Sequence, residues 1–178
     1  DQRHAGYAAT EGFTNAISLL ARNIARLDGI ADARVHPVLG VTTVTPTMLQ
    51  GGVSRNVTPP TARAVLDIRS TPDWTHDELA ALLMERLDCE VVVTSTRLVP
   101  CETPAGSPLL AAAQRAHPAG ASYGSPTCSD WCFLRHLDAI KVGPGTSRRS
   151  HTPDESVNLS EVIAARGFYA RVIEEYFA

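Results

Sequence analysis

The 178-residue chain contains no apolar run approaching the roughly 18 residues that a membrane span requires, and no charged-then-apolar leader opens it. These absences predict a soluble, cytoplasmic protein with no membrane partner. Basic residues are also scarce. Sixteen Lys and Arg against nineteen Asp and Glu give a formal charge of −3, and Arg148-Arg149 is the only basic doublet. That balance leaves no electrostatic footprint for nucleic acid. Cysteine is limited to Cys89, Cys101, Cys128 and Cys132. They show no framework spacing in a chain too large to need disulfide staples, so reduced thiols are expected.

Self-contained catalytic motifs are missing too. His4, His36, His76 and His117 have no partner at helical spacing, which excludes an HExxH site, and neither a Gly-x-Ser-x-Gly elbow nor a phosphate-binding loop is present. Cys128 and Cys132 form a lone CxxxC without a second pair, better read as buried thiols than as metal ligands. His136-Leu137-Asp138 has an HxD form but straddles a helix end and the next strand, and reads as a chance match. The chain opens at Asp1 without a methionine, as expected of a fragment or processed product.

What is present suits a folded α/β protein. Forty-four per cent of residues are hydrophobic and twenty per cent charged, enough for one good core or two small ones. Phe13, Ile17, Leu20, Ile24 and Leu27 recur at steps of three and four, predicting an amphipathic helix stopped by Asp28-Gly29. Val41–Gln50 is β-branched with Pro46 at an edge or bulge. Thr61–Arg69 alternates, with Ala62, Ala64, Leu66 and Ile68 on one face and Arg63, Val65, Asp67 and Arg69 on the other. Thr75 and Glu78 form a capping box opening a helix, and Glu90–Leu98 predicts another strand. One strand before residue 1 would complete a ferredoxin-like βαββαβ unit.

The turn-rich stretch from Cys101 to Pro108 predicts a boundary between residues 1–100 and 101–178. Beyond it the pattern predicts helices near Leu109–Ala116 and Asp130–His136, a short strand at Ala139–Val142 and a final helix at about Asn158–Phe177. Thr152-Pro153-Asp154-Glu155 has the pattern of a second capping box. By that pattern alone His151 merely precedes a helix. So little strand makes a poor core by itself, and the tail is expected to belong to a larger α/β layer.

Several segments, in order, resemble one known family. His4-Ala5-Gly6 resembles a His-Ala segment, Gly51-Gly52 through Asn56-Val57-Thr58-Pro59 a GG-x-x-x-NV-x-P turn, and Leu66-Asp67-Ile68-Arg69 a D-x-R strand. Ser129-Asp130 resembles a small loop before a helix. Val142-Gly143-Pro144-Gly145 through His151-Thr152-Pro153-Asp154-Glu155 resembles a closing metal motif. Together they resemble the di-zinc amidohydrolases that include acetylornithine deacetylase, succinyl-diaminopimelate desuccinylase, aminoacylase and glutamate carboxypeptidase.

The resemblance implies a ferredoxin-like lid and dimerisation domain, lacking its first strand, followed by the C-terminal part of an α/β zinc-hydrolase domain. It implies that His151 ligates zinc and that His4 reaches the partner subunit's active site as an oxyanion donor. Asn56 would assist from the same lid, Arg69 would hold the substrate carboxylate, and the Gly145 turn would bring backbone close to substrate. It further implies a homodimer with two zinc ions per intact subunit; the sequence leaves open whether cobalt or manganese stands in place of zinc. In that enzyme a zinc-bound water, activated by a glutamate upstream, cleaves an N-acyl amino acid. The first zinc motif, the bridging aspartate, the Glu pair and the remaining carboxylate ligand belong upstream, so these residues alone are expected to be inactive. A dipeptidase or carboxypeptidase of the same family, and a non-catalytic ferredoxin-like binding module, are the alternative expectations.

Overall fold

The computed structural model describes residues 2–178. The chain divides into two compact units, Asp1–Val99 and Pro100–Ala178. In the first, a 3₁₀ turn at Ala5–Tyr7 runs into the single-turn helix α1 (Ala8–Glu11) and ends at Gly12, whose φ of 66° favours glycine. Helix α2 (Ala16–Ile24) starts at Asn15, whose Oδ1 accepts from the N–H groups of Ile17 and Ser18. A small hairpin pairs β1 (Val35–His36) with β2 (Gly40–Val41). His36 is buried there, and its Nδ1 accepts from the N–H groups of Val38 and Leu39. This lone histidine builds a turn.

The main sheet is the antiparallel pair β3 (Thr43–Gly51) and β4 (Ala62–Arg69), in register from Thr43↔Arg69 to Gly51↔Ala62. The register shifts between Pro46 and Met48, so proline stands at an irregularity, as its missing N–H requires. Helix α3 (His76–Arg86) follows with its capping box formed: Thr75 Oγ1 accepts from Glu78 N–H at 3.2 Å, and the Glu78 carboxylate accepts from Thr75 N–H at 2.9 Å.

Alternation along β4 sends Ala62, Ala64, Leu66 and Ile68 to one face. Ile68 packs with Ala31, Trp74, Leu79 and Leu82, and Ile17 of α2 lies over Gly51, where an added Cβ would come within 3.0 Å of it. Arg34 stacks 4.0 Å from the Trp74 ring and pairs with Glu78 at 2.8 Å, closing the cluster from outside. The other face of β4 carries Arg63, Val65, Asp67 and Arg69.

The order α2-β3-β4-α3 is the one expected of a ferredoxin-like unit, and the chain is mixed α/β. The strand expected at Glu90–Leu98 is not formed. Among the described residues β3 and β4 pair only with each other, and β-branched composition cannot make a strand without a ladder partner. Side chains hold the ends instead. Buried Asn23 exchanges hydrogen bonds with the Asp88 backbone, and His76 Nδ1 lies 3.0 Å from Thr96 O.

In the second unit helix α4 (Pro108–Ala116) packs on helix α5 (Leu159–Phe177) through Ala112, Ala113, Ala116 and Val172, joined by Leu109, Ile140 and Phe168. Small alanines allow the close approach. Arg115 bonds the Glu175 side chain at 2.8 Å and its carbonyl at 2.7 Å, and Arg171 reaches Ala116 O. The expected helix at Asp130–His136 is only a 3₁₀ turn, Asp130–Phe133, and Ala139–Val142 forms no strand. No described helix is long and apolar enough to cross a membrane.

Candidate functional site

Two of the sequence motifs meet in the first unit. Ala5 N–H donates to Asn56 O at 2.9 Å and Thr58 N–H to Arg3 O at 2.8 Å, so His4 lies opposite Val57 in a short antiparallel bridge. Thr58, buried, adds a side-chain clasp: its Oγ1 accepts from Arg3 N–H and donates to Arg3 O. His4 and Asn56, 52 positions apart in the chain, are thereby held on adjoining segments, and both are exposed.

Each presents a defined donor. His4 Nδ1 accepts from Gly6 N–H at 3.1 Å, so the neutral ring carries its proton on Nε2. A Cβ on Gly6 would lie 3.2 Å from that Nδ1, so glycine lets backbone and imidazole approach. The Tyr7 ring meets the imidazole edge-on at 5.8 Å. Asn56 Oδ1 accepts from Ser54 Oγ at 2.8 Å, which leaves the Nδ2 half of the amide to donate outward.

Arg69 ends β4 on its polar face and is ion-paired within the strand. Its Nε and Nη2 donate to the two carboxylate oxygens of Asp67 at 2.5 and 2.8 Å. Farther along this face Met48, Gln50, Arg63 and Val65 line a shallow cavity of about 220 Å³.

His151 is the only described non-glycine residue with positive φ, at 61°. Its backbone N–H donates to Glu155 Oε2 at 3.1 Å, and Thr152 Oγ1 donates to Arg149 O at 2.7 Å. The capping box expected at Thr152–Glu155 is therefore absent, because both side chains close the His151 loop. The cap that operates is at Asn158, whose N–H donates to Glu161 Oε2 at 2.9 Å. Glu161 also binds Arg149 at 3.0 Å, tying the loop to the start of α5. The Asn158 N–H and Arg149 together hold its carboxyl below the ordinary range. Gly145, at φ 76°, sits where a Cβ would lie 3.3 Å from Val157 Cγ2.

Other candidates have structural duties. Asp138 of the HxD tripeptide caps α4, accepting from Ser107 Oγ at 2.5 Å and Leu109 N–H at 3.0 Å. All four cysteines are free; Cys132 is buried, whereas Cys128 is exposed, against the expectation of two buried thiols. Burial, with Cys128 nearby, pushes the Cys132 thiol up. That opposes thiolate chemistry. Lys141 Nζ ties down Ser125 and Thr127 in the loop before Ser129-Asp130.

Among the described residues no group of three His, Cys, Asp or Glu could hold a metal ion. Zinc takes three or four protein ligands. The residues present do not fit a zinc ion by themselves, and His151 would supply one ligand at most.

The profile of the peptidase dimerisation domain of M20 peptidases matches residues 1–93. The chain belongs to this family. The matched stretch contains the His4, Asn56 and Arg69 motifs. Succinyl-diaminopimelate desuccinylase of Methylorubrum populi is 28% identical over 142 residues, covering 72% of this chain and 36% of that protein. The LysW-lysine/LysW-ornithine hydrolase of Sulfurisphaera tokodaii is 26% identical over 146 residues, covering 74% and 40%. The chain thus spans two fifths or less of the length of these relatives. Aminopeptidase PepT of Bacillus cereus superposes over 100% of this chain and 49% of its own, with a TM-score of 0.63 and 20% identity, a likeness of fold. The relatives are hydrolases of the M20 family.

The sequence alone assigns no site role to Gly6, Ser54 or Asp67, and marks Glu155 only as a helix-capping residue. Only Asp67 left a signal there: an acid and a base two apart on one strand share a face.

Proposed function

We propose that the chain is the lid plus C-terminal catalytic segment of a zinc-dependent N-acyl-amino-acid deacylase. The observation that carries this is the bridge joining the His4 and Asn56 segments, together with the Gly6 and Ser54 hydrogen bonds that leave Nε2–H of one and the Nδ2 amide of the other as donors. Such donors are worth most where charge develops away from water. In the proposed reaction His4, acting in the active site of the partner subunit, donates Nε2–H to the oxyanion of the tetrahedral intermediate. Asn56 assists, and Arg69 holds the substrate carboxylate. His151 contributes one zinc ligand from a loop held by Glu155, Thr152 and Glu161, and the Gly145 turn admits substrate to the backbone.

Zinc, when completed by ligands from outside this chain, would supply Lewis acidity to the amide carbonyl. The homodimer would form along the edge of β3 that has no ladder partner among the described residues, where Leu49 and, just past the strand's end, Val53 are each 63% exposed. Exposed Leu159, Ile163, Ile173 and Phe177 on α5 support burial of that helix in a larger layer.

The test uses the longest natural product of the gene, with N-acetyl-L-ornithine, N-succinyl-L,L-diaminopimelate and dipeptides as substrates. The expected result is hydrolysis of an N-acyl amino acid and its loss by roughly a hundredfold or more in His151→Asn, together with a fall in bound zinc measured by elemental analysis. Asparagine tolerates positive φ, so the variant keeps the loop. Undiminished hydrolysis and zinc content in His151→Asn would favour the non-catalytic module.

A further inference from the structure

The Asp67–Arg69 pair has a geometry that the carboxylate-binding reading alone does not require. We propose that Asp67 is a positioning residue, which grips one side of the Arg69 guanidinium so that only its Nη1/Nη2 end is offered to a ligand carboxylate. The inference rests on the reading of Arg69 as the carboxylate anchor and adds to it the residue that sets the approach.

Residues two apart on a strand point to the same face, and the register places Asp67 opposite Thr45 and Arg69 opposite Thr43. Arg69 spends Nε–H and one Nη2–H on the two Asp67 oxygens. A guanidinium carries five N–H donors in a fixed plane. Three remain, two on Nη1 and one on Nη2, at the end of the fork. A second carboxylate received there in bidentate fashion lies in the same plane as Asp67, a third of a turn around the central carbon, so the two anions stay apart while sharing one cation.

The pair's side chains are 47% and 40% exposed. Exposed pairs contribute little to folding, so the consequence of this one lies in orientation. A long, flexible side chain is ordered before the ligand arrives, which removes part of the entropy cost of binding. Asp67 therefore acts on ligand affinity and leaves the chemical step untouched.

The test compares Asp67→Asn, Asp67→Glu and Arg69→Ala in the longest natural product of the gene, using an N-acyl amino acid and its carboxamide analogue. Asp67→Asn is expected to raise KM for the carboxylate substrate about three- to tenfold with kcat nearly unchanged, and to leave the carboxamide unaffected. Asp67→Glu restores part of the affinity. An unchanged or lowered KM in Asp67→Asn, with KM raised in Arg69→Ala, overturns the positioning role while keeping Arg69 as the anchor. An unchanged KM in Arg69→Ala overturns the anchor and this proposal with it. In the 178-residue chain itself, a nitrogen-15 NMR signal from Arg69 Nε–H that is protected from exchange and lost in Asp67→Asn supports the grip; an unprotected signal in the parent chain counts against it.

Discussion

An imidazole can donate from either nitrogen, and at His4 a backbone N–H makes the choice. Because Gly6 N–H occupies Nδ1, the donor is Nε2–H. Glutamine places its amide near the position of Nε2 and asparagine nearer to Nδ1. With His4 in the proposed oxyanion role, His4→Gln in the longest natural product of the gene is therefore expected to keep at least about tenfold more kcat than His4→Asn, within a total loss on the order of 10²–10³ for removing such a donor. Steady-state kinetics on the two variants checks this; equal losses would show that the tautomer does not matter. His151 is the complementary case. Its left-handed backbone is uncommon for a side-chain-bearing residue, is held by Glu155 and Thr152, and could not be read from the residue's neighbours in sequence.

Elements differ in how far local chemistry settles them. The Thr75–Glu78 box forms because its partners lie within one turn. Arg34 then deepens it: the Arg34 hydrogen bond, ahead of those from Thr75, pulls the Glu78 carboxyl from the ordinary 4.5 to about 2. A carboxyl depressed by folding stabilises the protein above its unfolded value, and that contribution is lost as pH falls toward the folded value. The urea midpoint of the first unit is thus expected to drop between about pH 4.5 and pH 2, with a shallower drop in Glu78→Gln; parallel pH profiles would remove Glu78 from the account. The box expected at Thr152–Glu155 uses the same letters, yet tertiary hydrogen bonds claim its side chains, and the helix waits for Asn158 and Glu161.

For the whole molecule, the exposed apolar edge is the feature with most consequence. Leu49 and Gly51 share the helix-facing side of β3, beside Ile17, and the outer edge of β3 has no ladder partner among the described residues. Such an edge invites pairing with another strand. Leu49→Asp is expected to shift a dimer toward monomer at micromolar concentration without changing the circular dichroism of the fold. Sedimentation velocity reads this directly, and an unchanged dimer would place the interface elsewhere.

The sequence by itself determined the helices with caps within reach, the two faces of β4, the irregularity at Pro46 and the order helix, strand, strand, helix, because hydrophobic period and capping act over a few residues. The motifs at His4, Asn56, Arg69, Gly145 and His151 were legible as a resemblance, residue by residue. Only the tertiary structure decided that the Glu90–Leu98 stretch stays out of a ladder, since a strand needs a partner that local composition cannot supply. It alone decided that Asp138 caps a helix 30 residues earlier, that Asp67 grips Arg69, and that His4 stands beside Asn56. Each of these depends on groups brought together by the path of the chain, and distance along a sequence carries no record of distance in space.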